Sequence, residues 1–407
     1  MGILTDLPIR PVFKYARRLR PGAATPHRSS LCLARQRLGL VPVRCLFERV
    51  VHRLATPQTP GAFDQGWRLM ALDGTVSNVP DSPANAAEGG RPSGGPRGDG
   101  AFPQVRTLSL VETGPHVEVA LVVKGIKGPD RGEQRLAPGL FRHLRPDMLL
   151  WWDRGFFSSG LWKGIVTPGC QLLARVSSRV VLRPIRSLAD GSYRAKIYPC
   201  ASERNRDRQG LVVRVLRYTL NDPQRVGHRQ EHVLLTTLLD ATRYPAAELV
   251  LRYHERWAIE LVYDEPKTHQ HPWRVTTSAD LRSQTPRGVL QELDAWSLGH
   301  FVVRSVMAAA AAPAGLDPDR RSFLGCLQIL RCRLPECPDP ASAAFAVWYQ
   351  GRLEEVRRER TDDAVRRNRI NPGVIKVKMS KFKKKRPEHR PVPPLKKTFA
   401  ASVVMLC

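Results

Sequence analysis

Two aspartates and one helical face carry the residue types needed for phosphoryl-transfer chemistry. Asp73 follows the apolar run RLMAL at residues 68–72, and Asp153 follows MLLWW at residues 148–152. A carboxylate just past a buried strand sits at the sheet edge, where sites form. Each also fits a turn or helix N-cap residue, because glycine follows within two positions and lets the backbone turn away. Further on, Tyr253, Arg256, Glu260 and Lys267 are spaced by three, four and seven residues. Those steps stack a phenol, a guanidinium, a carboxylate and an ammonium on one helical face. The same spacing also suits a solvated face laced with ion pairs, Arg256 with Glu260 among them. Three converging carboxylates would bind Mg²⁺ or Mn²⁺ and leave room for phosphate oxygens. Two such ions, about 4 Å apart, activate an attacking water or 3′-hydroxyl and stabilise the leaving oxygen. Arg256 and Lys267 could then hold flanking phosphates.

The surrounding pattern supplies elements to position these groups. Residues 68–72 and 148–152 read as buried strands. Residues 105–112 and 117–123 form a hairpin about Gly114-Pro115, and residues 171–176 form a fifth strand. Residues 131–144 and 158–165 can be helices. The Gly/Pro-rich stretch from about 80 to 103, with GGRPSGGPRGDG, reads as an irregular loop. It lacks the ending of a phosphate-binding loop. Residues 178 to about 240 alternate strand and turn signals, as an all-β insert would. Residues 246–269 and 289–312 have helical periodicity. The sum is an α/β fold, a mixed sheet flanked by helices with a β insert before the last catalytic helix.

Composition narrows the class. The 407 residues include 65 Lys and Arg against 37 Asp and Glu, a net charge of +28. That balance points to a polyanion, with nucleic acid the default, and argues against an acidic enzyme of small metabolites. From residue 366 to 397 there are thirteen Lys and Arg, one acid (Glu388) and five prolines. Such a tail, with Lys383, Lys384, Lys385 and Arg386 at its centre, suits phosphate contact without sequence readout. The eight cysteines include no CxxC pair, so neither a disulfide framework nor a zinc site is predicted. No apolar run approaches the ~18 residues of a membrane span, and no secretory signal is expected. Trp151 and Trp152 read as core residues, and His269 and His271 as solvated residues of a polar turn.

The run Tyr253-x2-Arg256-x3-Glu260-x6-Lys267 resembles the YREK signature of DDE transposases of the insertion-sequence-four type. ALDGTVSNVPDSPANAAEGG around Asp73, GAFPQVRTLSLVETG after it, DRGFFSSGLW around Asp153 and KMSKFKKKRPEHRP in the tail are similar to that family as well. The resemblance spans roughly residues 31–400. It implies a ribonuclease-H-like core and makes Asp73, Asp153 and Glu260 the catalytic triad that binds two Mg²⁺ (or Mn²⁺) ions. It makes Tyr253, Arg256 and Lys267 DNA-contacting or site-supporting. It implies cut-and-paste transposition: hydrolysis at element ends, then attack of the freed 3′-hydroxyl on target DNA. The partners implied are double-stranded DNA and a second copy of the chain, as a homodimer on DNA. The location implied is the bacterial cytoplasm, at the nucleoid.

The expected organisation follows from both readings. Residues 1–30 are unmatched, and read as loop or disorder. Residues 31–66 are a helical remnant of an N-terminal region. Residues 67–177 are the first part of the core, 178–240 the β insert, and 241–315 the catalytic helix and its successor. Residues 316–365 are a C-terminal helical region and 366–407 the basic tail. Three positions depart from the family. The region that would recognise element ends is unmatched, as in an N-terminally truncated chain. Pro266 precedes Lys267, so the helix ends or kinks there. Ser177-Ser178 stands where a Lys is expected. These departures define an alternative: a catalytically weak transposase that binds DNA or a full-length transposase without cleaving. The YREK run and the β insert argue against another nuclease of the same fold.

Overall fold

The computed structural model describes residues 2–5, 7–15, 22, 24–93, 98–225, 227–256, 259–270, 280–359 and 395–406. Lys383, Lys384, Lys385, Arg386 and His271 lie outside them. In chain order the elements begin with α1 (Ile9–Tyr15), α2 (Arg28–Leu38), α3 (Val41–Val50), β1 (Phe63–Asp64) and β2 (Trp67–Asn78). Next come α4 (Pro83–Gly89), β3 (Gln104–Glu112), β4 (Val117–Gly125), α5 (Glu133–Leu136), β5 (Met148–Trp152), α6 (Ser159–Val166) and β6 (Gln171–Val176). Then follow β7 (Arg186–Ser187), β8 (Tyr193–Ile197), α7 (Ala201–Asn205), β9 (Leu211–Leu220), β10 (His232–Thr236), α8 (Ala246–Glu255) and α9 (Ile259–Glu265). The last are α10 (Pro286–Ala311), α11 (Phe323–Arg333), α12 (Ala343–Arg358), α13 (Phe399–Ser402) and β11 (Val403–Met405).

The chain divides into two compact units. One comprises Met1–Phe156, Leu161–Gln171 and Trp257–Asp362; the other Phe157–Gly160, Leu172–Arg256 and Asp363–Cys407. The second unit therefore takes in most of β6 and all of α8, and is wider than the expected insert at 178–240.

In the first unit the strand order is β4-β3-β2-β5. β2, β3 and β4 run antiparallel, whereas β5 lies parallel to β2. This is the mixed sheet expected. Every residue of β5 is buried, which is why it reads as an unbroken apolar run rather than an alternating one. α10 is the central helix. Thr285 accepts from the Gly288 amide at its start, with Pro286 in the first turn, a standard arrangement of cap and proline. Phe301 on α10 clusters with Phe47, Val51, Val117 and Leu121. Val303, Met307 and Ala310 cluster with Phe323, Leu327, Leu330, Leu353 and Val356.

In the second unit the order is β6-β10-β9-β8-β7, all antiparallel, with β11 also paired to β9. Arg214 is fully buried in this unit, and Asp190, the Ser192 hydroxyl (2.8 Å) and the Tyr244 carbonyl (2.6 Å) surround its guanidinium.

Besides the 246–269 helix described below, four segments differ from the sequence reading. β2 continues to Asn78 instead of ending at Leu72, because β3 pairs with it through Asn78↔Gln104. Residues 83–89 of the Gly/Pro-rich stretch form α4, capped by the Ser82 hydroxyl on the Asn85 amide. The expected helix at 131–144 is α5 followed by a 3₁₀ segment, Ala137–His143, since Pro138 cannot continue an α-helix. Within residues 1–30, expected as loop or disorder, α1 is helical. Residues 2 and 3 are held as well: Arg331 Nε donates to the Ile3 carbonyl (2.8 Å) and Gln270 Nε2 to that of Gly2 (3.0 Å). Long polar side chains from elsewhere fix this segment, and they leave no periodicity in its own sequence.

Candidate active site

Parallel pairing of β2 with β5 builds the site. The ladder ends on Leu72↔Trp152, so the next residue on each strand is Asp73 or Asp153. Adjacent strands lie about 4.8 Å apart, and residues in register on parallel strands project to one face. The two aspartates therefore stand side by side at the carboxyl end of β5. There β2 runs on, with Asp73 paired to Ser109 of β3, while the other chain turns through a 3₁₀ segment, Arg154–Phe156. One oxygen of each carboxylate accepts from the following amide: Gly74 N to Asp73 at 2.8 Å, and Arg154 N to Asp153 at 2.7 Å.

Gly74 does not turn the chain; it makes room. A Cβ there would meet Glu133 Oε1 at 2.6 Å. Glu133, the first residue of α5, thus lays its carboxylate over β2 beside Asp73. Burial raises its pKa; Arg106, 3.6 Å away, offsets part of this, and the charges of Asp73 and Asp153 add to it. Its neighbour Gln134 donates to the Gly155 carbonyl at 2.7 Å. α5 is therefore pinned between the segments that bear the two aspartates. No feature of the sequence around Glu133 marks it, because it reaches the site through tertiary packing alone.

Glu260 comes from α9. Tyr263, one turn later, donates to the Asp73 carbonyl at 2.5 Å. Burial and then the Asp73 charge push its phenol well above the ordinary range. Lys267, one turn further, donates to the Thr75 hydroxyl and to the Val76 carbonyl (2.8 Å). α9 and its extension thus run alongside β2 from Asp73 towards Val76. The helical phase sets Glu260 on the Tyr263 face, one turn back, at the Asp73 end. Tyr263 shares the phase of Glu260 and Lys267 and was legible on that ground.

The single helix expected over 246–269 is interrupted. α8 ends at Glu255, α9 begins at Ile259 and ends at Glu265, and Pro266–Gln270 is a π-helical turn. Pro266 ends the α ladder, as its missing N–H requires. The wider turn still delivers Lys267 to β2. Tyr253 and Arg256 fall in the second unit, each 4% exposed, with the guanidinium over the phenol ring at 5.8 Å. Trp151 and Trp152 are core residues, 1% and 0% exposed. His269 lies near the Phe323 ring, at 6.3 Å.

Asp73, Asp153 and Glu133 present only carboxylate oxygens, which suit a hard divalent cation. Among the described residues, no three His, Cys, Asp or Glu side chains are drawn close enough to hold an ion by themselves. Asp73 and Asp153 would hold such an ion from the strands, and Glu260 from the helix.

A family model described as a transposase DDE domain matches residues 65–284, more than half of the chain. The chain belongs to that family. It is 29% identical over 367 residues to the transposase InsG for insertion sequence element IS4 of Escherichia coli (strain K12), covering 87% of this chain and 77% of that one. It is 26% identical over 144 residues to the putative transposase InsZ of the same organism, covering 35% and 47%. Among solved structures it is similar to a piggyBac transposase synaptic complex with hairpin DNA, at 12% identity and TM-score 0.41, covering 84% of this chain and 66% of that one. The family is one of insertion-sequence transposases, and its general function is DNA transposition by nuclease and transesterase chemistry with divalent metal ions. Among the described residues, no helix is long and apolar enough to cross a membrane.

Proposed function

We propose that the chain cleaves DNA at the ends of an insertion sequence and joins the freed 3′-hydroxyl to target DNA, with Asp73, Asp153 and Glu260 as catalytic carboxylates. The observation that carries this is the pairing of Leu72 with Trp152, which sets Asp73 beside Asp153, next to a helix bonded to Asp73 through Tyr263. Two Mg²⁺ or Mn²⁺ ions held by these acids would activate the attacking oxygen and stabilise charge on the leaving oxygen. The protein's own part is positioning. The carboxylates fix where the scissile phosphate sits, and Tyr263 and Lys267 fix α9 against β2. Tyr253 and Arg256 are buried, and we assign them a supporting role in this reading. Lys383, Lys384, Lys385 and Arg386 would add phosphate contacts. A homodimer bridged by DNA, acting at the nucleoid, completes the proposal.

The test is cleavage of supercoiled DNA carrying the gene's own flanking sequences, in Mg²⁺ and in Mn²⁺, by wild type and by Asp153→Asn. The expected outcome is cutting at the flanks by wild type and a loss of at least about a hundredfold in the variant, the scale on which a catalytic group contributes. Salt-sensitive binding with no cutting by wild type would instead support the weak, DNA-binding alternative.

A further inference from the structure

The second unit contains a cationic cavity that the catalytic reading does not use. Residues 172–256 hold sixteen Arg and Lys against eight Asp and Glu, a net of +8. Several of these cations are paired inside the unit, as in Arg214 with Asp190, Arg217 with Glu231 and Arg252 with Glu255. A different arrangement occurs at β7, the edge strand of this unit's sheet. Arg183, Lys196, Tyr198 and Arg204 line an open cavity there, with Val181 and Ile185 on its wall. The Arg204 Nε is buried and meets no hydrogen-bond partner among the described residues. A charged donor left that way is costly unless a ligand supplies the acceptor. Arg183 is exposed, and its charge reaches the Tyr198 phenol. Asp207 is engaged by Lys196 Nζ (2.7 Å) and the Tyr198 hydroxyl (2.6 Å), so the one acid on the wall is already neutralised.

The apolar wall narrows the choice of anion. Val181 is 49% and Ile185 58% exposed. A free phosphate gains nothing from such neighbours. A DNA strand does, because its anionic phosphates alternate with apolar deoxyribose faces. Guanidinium groups suit the phosphate by their fixed donor geometry. We propose that this cavity is a DNA-backbone site separate from the catalytic carboxylates, with Arg183 and Arg204 on phosphates and Val181 and Ile185 against sugar. It rests on the reading of the chain as a DNA-binding transposase. It carries no sequence readout, since every contact is to the backbone.

The experiment uses the full chain and the double variant R183A/R204A, with fluorescence anisotropy on a duplex from the gene's flanks and on a scrambled duplex across a salt series. The expected result is weaker binding to both duplexes alike, and a log Kd against log salt slope shallower by about 2, one unit per lost phosphate contact. Arg183→Ala alone should shift the slope by about 1 and serves if the double variant melts early. R183K/R204K should restore most of the slope. Wild-type slope and affinity in the alanine variants would overturn the cavity assignment while leaving the DNA-binding reading intact. No binding of either duplex by wild type would overturn both. Weakening confined to one duplex would mean base readout and would also sink the proposal.

Discussion

At Gly74 a missing side chain admits a neighbouring carboxylate to the site. The position needs no unusual backbone, because β2 passes through it in extended form and pairs it with Leu108. Its function lies in the 2.6 Å that would separate a Cβ from Glu133 Oε1. Gly74→Ala should therefore act by displacing Glu133, whose carboxylate is the end of a flexible side chain and can move. The fold should survive with little change in melting temperature, while cleavage slows. Glu133→Gln should slow it as well. If the two act through one contact, the double variant is no slower than Gly74→Ala alone, and the cycle shows a coupling of about 1 kcal/mol, roughly fivefold in rate. Rates of cleavage for the four proteins, each checked by thermal melting, decide the point. Strictly additive losses would mean that Gly74 and Glu133 act independently.

At the scale of elements, the end of α9 is tied into the core by a buried ionic cluster. Glu265 accepts from His300 Nε2 (2.8 Å) and Arg304 Nε (3.0 Å). Arg304 also reaches His116 Nδ1 (2.7 Å), and His116 Nε2 reaches Asp319 (2.9 Å). Burial alone would push the Glu265 carboxyl up, but the Arg304 charge and the His300 hydrogen bond outweigh it and hold it at about 2. The native pKa lies below the unfolded value near 4.5, so this carboxylate contributes stability above about pH 4.5 that is lost as pH falls towards 2. Arg304→Met reverses the balance by leaving the buried carboxylate with the His300 hydrogen bond alone. It should cost about 3–5 kcal/mol at neutral pH, and less as the pH falls towards 5, where Glu265 takes up a proton. Chemical denaturation of both proteins from pH 5 to 8 measures this; a loss that does not vary with pH would remove Glu265 from the explanation. Little of this cluster was legible in sequence. Strand and helix periodicity located β2, β5, β6 and α10, because burial of one face or of both leaves a regular trace. The signature Tyr253, Arg256, Glu260 and Lys267 marked the helix that bears the third acid. Spacing could not show that α8 and α9 are separate helices, since Tyr253, Arg256, Glu260 and Lys267 keep helical steps across the break. Glu133, His116 and Arg304 reach their places through long-range packing, which no local spacing records.

For the whole molecule, the excess of cations is the dominant fact, and it is unevenly placed. Thirteen of the 65 Lys and Arg fall between residues 366 and 397, against a single acid there. Such a run can raise affinity for any duplex without choosing among sequences, so its contribution should separate cleanly from that of the carboxylates. Replacing Lys383, Lys384, Lys385 and Arg386 by alanine together should leave the thermal melt unchanged and make the log Kd against log salt slope shallower by about 3 to 4. The ratio of affinities for flanking and scrambled DNA should stay as in wild type, because phosphate contacts carry no base information. Cleavage should fall at low DNA concentration and return to the wild-type rate when DNA saturates the protein, since the site at Asp73 and Asp153 is untouched. A cleavage rate that stays depressed at saturating DNA would place these four residues in the chemistry of the bound complex, and an unchanged salt slope would mean that the tail does not contact DNA.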